Sequence, residues 1–212
     1  MRRLAAAAMV AICGLLAACT QPVPTAAPLS AGYLMAGRSC GGGATLPATA
    51  LTIGTRQVIH LAESSPCITA GSGVNEPAVL LSLPVSSDTY YVTVRVWRGA
   101  KIVVPRIELL DGNRRPVQTL TYRDMRYAGG ALTATIFVEP GRTAPAFLLL
   151  YPDPALVGKS VERIQQGASM ASYGFFYVSY GTAGKSPVTF AESGTLEVDS
   201  AYDVRRSVPA GG

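Results

Sequence analysis

The sequence has few of the side chains on which catalysis and metal binding usually depend. Its 212 residues include one histidine, His60, and one tryptophan, Trp97. His60 is therefore the only imidazole base for a serine-hydrolase triad, and no Gly-x-Ser-x-Gly motif surrounds any serine. Because His60 lies in an apolar strand pattern, a structural role is the simpler interpretation. Glu108, Asp111 and Asp124 could supply paired carboxylates for a glycosidase, although nothing distinguishes them from solvated turn residues.

Phosphate-binding motifs are incomplete as well. Gly158-Lys159-Ser160 and Gly184-Lys185-Ser186 resemble parts of a phosphate loop, which needs a further glycine five residues before the Gly-Lys pair. Those positions hold Asp153 and Ser179. We therefore predict a protein that is not an enzyme, with no catalytic residues, no metal site and no cofactor.

Positive charge is present but scattered along the chain. There are 18 basic and 13 acidic residues, and removing Arg2 and Arg3 leaves a net charge of +3. No basic stripe with interleaved aromatic residues occurs, so we predict no nucleic-acid partner.

An apolar run near the N-terminus is too short to span a bilayer. Two arginines precede about 15 uncharged residues from Leu4 to Ala18, whereas a spanning helix needs about 20. The run ends in Leu16-Ala17-Ala18-Cys19, which resembles the lipobox of bacterial lipoproteins and implies cleavage before Cys19 with acylation of that cysteine. An ordinary cleaved signal peptide with an incidental cysteine is the alternative. Thr20, where an aspartate would favour inner-membrane retention, favours the outer membrane.

This interpretation divides the chain into four parts. Residues 1–18 are a lipoprotein signal peptide, 19–32 the lipidated Cys19 and a proline-rich tether, 33–204 a β-sandwich domain, and 205–212 a flexible tail. Several acyl chains, palmitate among them, stabilise membrane binding by about 0.8 kcal/mol per buried CH2. We expect the protein on the periplasmic face of the outer membrane, held by lipid.

The remaining cysteines favour a disulfide. Once Cys13 and Cys19 are set aside, Cys40 and Cys67 are left. An even pair in an oxidising compartment predicts a bridge, and without Cys-x-x-Cys a redox or metal site is the weaker alternative. Closing a loop of roughly 27 residues contributes about 3–4 kcal/mol in the chain-entropy model.

Strand signals dominate the predicted domain. Tyr90, Val92, Val94 and Val96 alternate with Tyr91, Thr93, Arg95 and Trp97, as in a half-buried strand. Residues 131–138 alternate again, whereas 146–151 are continuously apolar, as expected of a strand covered on both sides. Further strands are predicted within 51–61, 78–84, 102–110, 117–122, 175–180 and 194–198, and Asp111-Gly112-Asn113 is a turn signal that ends the third of these. About ten short strands separated by turns predict a mainly β fold, an antiparallel β-sandwich.

One short helix is predicted to follow the continuously apolar strand. Asp153 suits the N-cap and Pro154 the first helical position. Gly167 suits the end of the helix. The apolar residues between them recur at helical spacing: Leu156, Val157, Val161 and Ile164.

Tyr91, Arg95 and Trp97 share one face of their strand and form a candidate ligand-binding platform. Sugar-binding sandwiches use exposed aromatic rings with Asp, Asn or Arg hydrogen bonds. The alternative is that this face packs against the second sheet or the helix. A further aromatic alternation over residues 173–180 predicts core on one side and an interaction patch on the other.

Four segments occur in an order found in a known family. They are Glu76-Pro77-Ala78-Val79-Leu80-Leu81-Ser82-Leu83-Pro84, the segment from Val103 to Asp111, the strand Phe147-Leu148-Leu149-Leu150-Tyr151 before an Asp-Pro pair, and Pro187 followed by Gly194-Thr195-Leu196. The chain thereby resembles the maltose-operon periplasmic protein (MalM) family over about two-thirds of its mature length. The resemblance implies a periplasmic protein associated with maltodextrin uptake, without established catalytic residues.

We therefore expect a non-enzymatic periplasmic lipoprotein that acts as an accessory or interaction module of the envelope. Its expected partners are the membrane, through the lipid anchor, and an envelope protein that contacts edge strands and aromatic patches. The alternative is a carbohydrate-binding module that recognises maltodextrin-like oligosaccharides through Tyr91, Arg95 and Trp97.

Overall fold

Two five-stranded sheets packed face to face form the centre of the fold in the computed structural model, which describes residues 32–141, 144–173 and 176–203. For residues 162–173 and 176–186 the description covers the backbone alone. The predicted signal peptide, Cys19, nearly all of the predicted tether and the predicted tail lie outside the described residues.

The described residues are mainly β-strand. Two 3₁₀ turns occur at Gly43–Thr45 and Tyr122–Asp124. The strands, in chain order, are β1 Ala48–Ala50, β2 Arg56–Leu61, β3 Cys67–Thr69, β4 Asn75–Pro77, β5 Val79–Ser82, β6 Tyr90–Trp97, β7 Lys101–Ile102, β8 Pro105–Leu110, β9 Pro116–Leu120, β10 Arg126–Ala128, β11 Ala131–Val138, β12 Phe147–Pro152, β13 Ser160–Tyr173, β14 Phe176–Phe190 and β15 Gly194–Tyr202.

The predicted antiparallel β-sandwich is confirmed. The first sheet has the strand order β1-β5-β12-β8-β9 and the second has β10-β11-β6-β15-β2. Neighbouring strands of these sheets are antiparallel except for β1 with β5. β6 lies at the centre of the second sheet and pairs with β11 over its whole length, from Tyr90 opposite Val138 to Trp97 opposite Ala131.

The two sheets are buried differently. Tyr90 and the valines of β6 pack against the inner face of the first sheet in one core cluster, as their alternation predicts. The outer face of the first sheet is covered too, because Leu149 and Tyr151 of β12 belong to a second cluster beneath the β3–β4 hairpin. This explains why β12 is continuously apolar while β6 and β11 alternate.

The predicted helix after Asp153 is wrong. Residues 154–158 form a turn, in which the Asp153 Oδ1 accepts a hydrogen bond from the Ala155 N–H at 3.1 Å. The chain then enters β13, which pairs with β14 from Ser160 opposite Thr189 to Tyr173 opposite Phe176. A lone helix of about 14 residues is marginal in water, whereas this pairing satisfies the backbone groups of β13.

Covalent and smaller elements complete the fold. Cys40 and Cys67 form the predicted disulfide, with 5.2 Å between their Cα atoms. The β13–β14 hairpin joins the rest of the fold where Thr189 and Phe190 pair in parallel with β7. None of the helical segments in the described part of the chain has the length and apolar character to cross a membrane.

Candidate functional site

The outer face of the second sheet carries the residues predicted to form a platform. Tyr91, Arg95 and Trp97 alternate with the buried residues of β6 and therefore point away from the core. Half of the Trp97 surface is exposed (50%), and Tyr91 and Arg95 are partly exposed. The structure thus brings the three side chains together on a face that does not pack against the other sheet.

A groove of about 700 Å³ lies on this face over the paired strands β6 and β11. β6 lines it with Tyr91, Thr93 and Arg95, and the cross-strand partners of these residues on β11 are Phe137, Thr135 and Thr133. Phe137 is 64% exposed and lies opposite Tyr91. Two aromatic side chains therefore lie opposite each other at one end of the groove, on the same face as the exposed Thr135. Thr93 is buried, and the Thr133 hydroxyl is buried without a hydrogen-bond partner among the described residues.

A turn borders one end of the groove and the residue after β15 borders the other. Near Arg95, Ala128 and Gly129 line the groove where β10 turns into β11. Gly129 and Gly130 have φ of +57° and +88°, the left-handed conformation that a two-residue hairpin turn requires and that glycine adopts without strain. Near Tyr91, Asp203 lines the opposite end of the groove, just after β15.

Charged side chains border the groove on the β15 side. Arg95 forms an ion pair with Asp199. Glu197, the cross-strand partner of Arg95, accepts a hydrogen bond at Oε2 from Trp97 Nε1–H at 2.7 Å. Its Oε1 lies 2.9 Å from Arg56 Nε. The indole of Trp97 is thereby oriented beside the groove, although it does not belong to the groove lining.

The other residues considered for catalysis have structural partners. His60 is exposed on β2, where its Nδ1 lies 3.2 Å from Thr195 Oγ1. Glu108 accepts a hydrogen bond from the Tyr151 hydroxyl at 2.6 Å and lies 3.7 Å from Arg106 Nε. Burial, together with the hydrogen bond to this carboxylate, raises the pKa of the Tyr151 phenol.

Two further carboxylates shape turns. Asp111 accepts hydrogen bonds from the backbone N–H groups of Asn113 and Arg115, each at 2.8 Å. Asp124 accepts a bond at 2.8 Å from the Thr121 backbone N–H and caps the 3₁₀ turn that follows. These carboxylates therefore serve as turn residues.

The remaining sequence motifs do not form a site. Gly158, with φ of +78°, belongs to a turn, and Ser160 Oγ lies 3.0 Å from Thr189 Oγ1. Residues 184–186 lie on β14, where the side chains are outside the description. The aromatic run 173–180 lies at the far end of the β13–β14 hairpin, and its predicted core and interaction patch also lie outside the described side chains.

A buried acidic cluster formed by Glu76, Glu192 and Asp153 is absent from the sequence-based predictions. The three residues are 0%, 3% and 6% exposed. Neither carboxylate oxygen of Glu76 has a hydrogen-bond partner among the described residues. Burial, followed by the negative charges of Glu192 and Asp153, raises the pKa of Glu76 to about 8.

No group of three or more His, Cys, Asp or Glu residues in the described part of the chain could hold a metal ion.

Three groove-lining residues of β11 are not among the candidate binding residues predicted from the sequence: Thr133, Thr135 and Phe137. The alternation of β11 predicts that they share one face, but only its register with β6 places them opposite Tyr91, Thr93 and Arg95. The groove is concave and combines aromatic with polar side chains, which suits ligand binding.

Comparisons of the chain with protein-family models, with characterised proteins and with solved structures find no match.

Proposed function

We propose that this protein is a non-enzymatic accessory or interaction module of the bacterial envelope, held by lipid on Cys19 at the periplasmic face of the outer membrane. The lipobox-like sequence supports this location. The observation that carries the proposal is the outer face of the second sheet, which no other described residues cover and where Trp97 and Phe137 are at least half exposed beside Tyr91. Exposed apolar side chains that border a groove are typical of interaction sites.

The side chains of the groove support binding rather than catalysis. Its lining consists mainly of aromatic, threonine and small residues, and its arginine is already paired with Asp199. Glu197 is engaged by Arg56 and Trp97. Such groups can stack against, orient and hydrogen-bond a partner without changing its covalent structure.

A maltodextrin-like oligosaccharide is the second candidate ligand. The observation that favours it is the cross-strand pair of Tyr91 and Phe137 on the same face as the exposed hydroxyl side chain of Thr135. Sugar rings offer apolar C–H faces to aromatic rings and hydroxyl groups to polar side chains. The resemblance to the maltose-operon periplasmic protein family points to the same class of ligand.

Photo-cross-linking tests the interaction module. A photoreactive side chain replaces Phe137 in the full chain within intact envelopes, and Val117, which is 52% exposed on the edge strand β9, serves as the control position. We expect one discrete product from position 137, lost when Arg95→Glu reverses the charge beside the groove, and none from position 117. The same products from both positions would contradict a partner site on the outer face.

Fluorescence titration with maltooligosaccharides tests the sugar candidate. Trp97 is the only tryptophan and is hydrogen-bonded beside the groove, so saturable binding should shift its emission. Tyr91→Ala should abolish the shift, and Tyr33→Ala, which removes an aromatic side chain that is 64% exposed and does not line the groove, should preserve it. A flat response from the folded, oxidised protein would exclude this candidate and leave the protein partner.

A further inference from the structure

Residues 32–39, which we call the latch segment, are bound to the domain by non-covalent contacts. The Leu34 backbone N–H donates a hydrogen bond to Glu192 Oε2 at 2.8 Å. Met35 is completely buried. The Arg38 carbonyl accepts a bond from Asn75 Nδ2 at 2.8 Å. The segment therefore bridges the turn between β14 and β15 and the first residue of β4.

The disulfide defines where this non-covalent attachment ends. Cys40 follows the latch segment directly and is bonded to Cys67, the first residue of β3. A detached latch segment would therefore leave the rest of the chain fixed at Cys40. Neither sheet of the sandwich would have to open, because the segment contributes no strand to either of them.

The buried acidic cluster lies where the latch segment docks. Glu192 itself accepts the hydrogen bond from Leu34, and the segment contacts Asn75, the residue before Glu76. A Cβ at Gly32, whose φ is +81°, would lie 2.6 Å from Val74 Cγ1, which shows how closely the segment approaches β4. The cluster is thus shielded from water where the segment meets β4 and the β14–β15 turn.

We propose that the latch segment is a proton-linked latch. Docking requires an uncharged Glu76, and loss of its proton favours release of residues 32–39 while the Cys40–Cys67 disulfide keeps the sandwich attached and folded. A charged and unpartnered carboxylate in this buried cluster is unfavourable, and detachment of the segment gives it access to water.

The charges around Glu76 all act in the same direction. Glu192 approaches from the β14–β15 turn and Asp153 from the end of β12, and the negative charges of both raise the pKa of Glu76. Burial also raises the pKa of Glu192 itself, against hydrogen bonds from the backbone of Leu34 and Gly32 that lower it. On the latch segment, Arg38 directs its guanidinium to the carbonyl oxygens of Glu63 and Ser65. No ion pair to Glu76 occurs within the described residues.

The pH range of the latch is set by the pKa of Glu76 in the two states. It is about 8 in the docked state and returns towards the ordinary value of 4.5 when water reaches the group. The docked state therefore holds the extra proton. Protonation of Glu76 stabilises docking fully below about pH 4.5. This contribution is lost progressively between about pH 4.5 and 8, and above that range the free energy of docking no longer changes with the titration of Glu76.

Hydrogen exchange on the full chain tests the latch. The measured quantity is the protection factor of amides in residues 33–38 between pH 5 and 9, corrected for the intrinsic exchange rate. We expect protection to fall by up to about tenfold per pH unit until about pH 8 and then to level off. Glu76→Gln should remove this dependence, because it keeps the shape of the side chain and cannot ionise.

Three controls make the outcome decisive. Asp88→Asn, at an exposed carboxyl away from the latch segment, should behave like the natural protein, and amides of β6 should keep their protection throughout. A constant protection factor in the natural protein, or an equal fall in β6, overturns the proposal. If Glu76→Gln does not fold, Glu192→Gln tests the proposal instead. Removing one negative charge beside Glu76 should lower the pH at which the protection factor of residues 33–38 stops falling. An unchanged pH overturns the proposal. The outer-face groove takes no part in this experiment.

Discussion

Buried polar side chains differ in whether the fold gives them a partner. Tyr151 and Glu108 are neighbours across β12 and β8 and hydrogen-bond at 2.6 Å, with Arg106 beside them. Glu76 is buried as well and has neither a hydrogen bond nor an ion pair among the described residues. Glu108 thus has partners for its carboxylate, whereas burial and the neighbouring negative charges raise the pKa of Glu76 to about 8.

Replacing Tyr151 by Phe should lower the free energy of unfolding by about 1.5–3 kcal/mol, because a hydrogen bond to a charged and partly buried acceptor is lost. Tyr90→Phe is the matched control, since the Tyr90 hydroxyl donates to the neutral Pro84 carbonyl at 2.9 Å. Its expected cost is about 0.5–1.5 kcal/mol. Urea denaturation at pH 7 measures both, and equal losses would contradict the contribution of the charge.

For single residues, the sequence predicts which apolar side chains are buried better than it predicts which polar side chains are buried. Tyr90 and Val92 are buried as their alternation indicates, because apolar residues at every second position share one face of the strand and that face packs against the core. Glu76 lies in a turn-rich segment between Asn75 and Pro77, a context typical of exposed residues. Its burial depends on Glu192 and Asp153, which are remote in sequence, so no local pattern reveals it.

At the scale of elements, turns and strand pairing decide which local signals prevail. Asp153-Pro154 is a helix-start signal, yet it produces a turn because Val161 and the residues after it pair along β14. The Asp111-Gly112-Asn113 signal does produce the predicted turn, since Asp111 can bond two backbone N–H groups within it. A start signal fixes a local bend, and long-range pairing decides whether a strand or a helix comes after it.

Asp111→Ala should weaken the β8–β9 hairpin by about 1 kcal/mol, because two backbone N–H groups lose their acceptor. The effect should be concentrated in β9, the edge strand of the first sheet, as faster amide exchange. Asp88→Ala, at an exposed aspartate in another turn, should leave exchange in β9 unchanged. If both variants alter β9 alike, the Asp111 hydrogen bonds do not hold the hairpin.

At the scale of the whole molecule, the candidate site arises from the difference between the two sheets. Among the described residues, the first is covered on both faces and the second on one, and the groove lies on the second. Alternation along β6 is enough to predict the shared face of Tyr91, Arg95 and Trp97. The other wall, with Phe137, depends on the register between β6 and β11, and a single strand pattern does not contain that register.

Removing the disulfide with Cys40→Ser and Cys67→Ser together should lower the free energy of unfolding by about 3–4 kcal/mol, since the unfolded chain gains the freedom of an open loop. Chemical denaturation of the variant, and of the natural protein with and without reductant, measures the loss. Reduction should reproduce the effect of the double substitution. An unchanged midpoint on reduction would contradict this contribution.

The same bond gives the domain a branched response to mechanical load. Tension applied at residue 32 would first peel away the latch segment and would then reach Cys40. From there one load path runs along the main chain to β1, which is paired in parallel with β5, and the other crosses the sulfur atoms to β3. Force is thereby divided between β1, which pairs with β5, and β3, which pairs with β4.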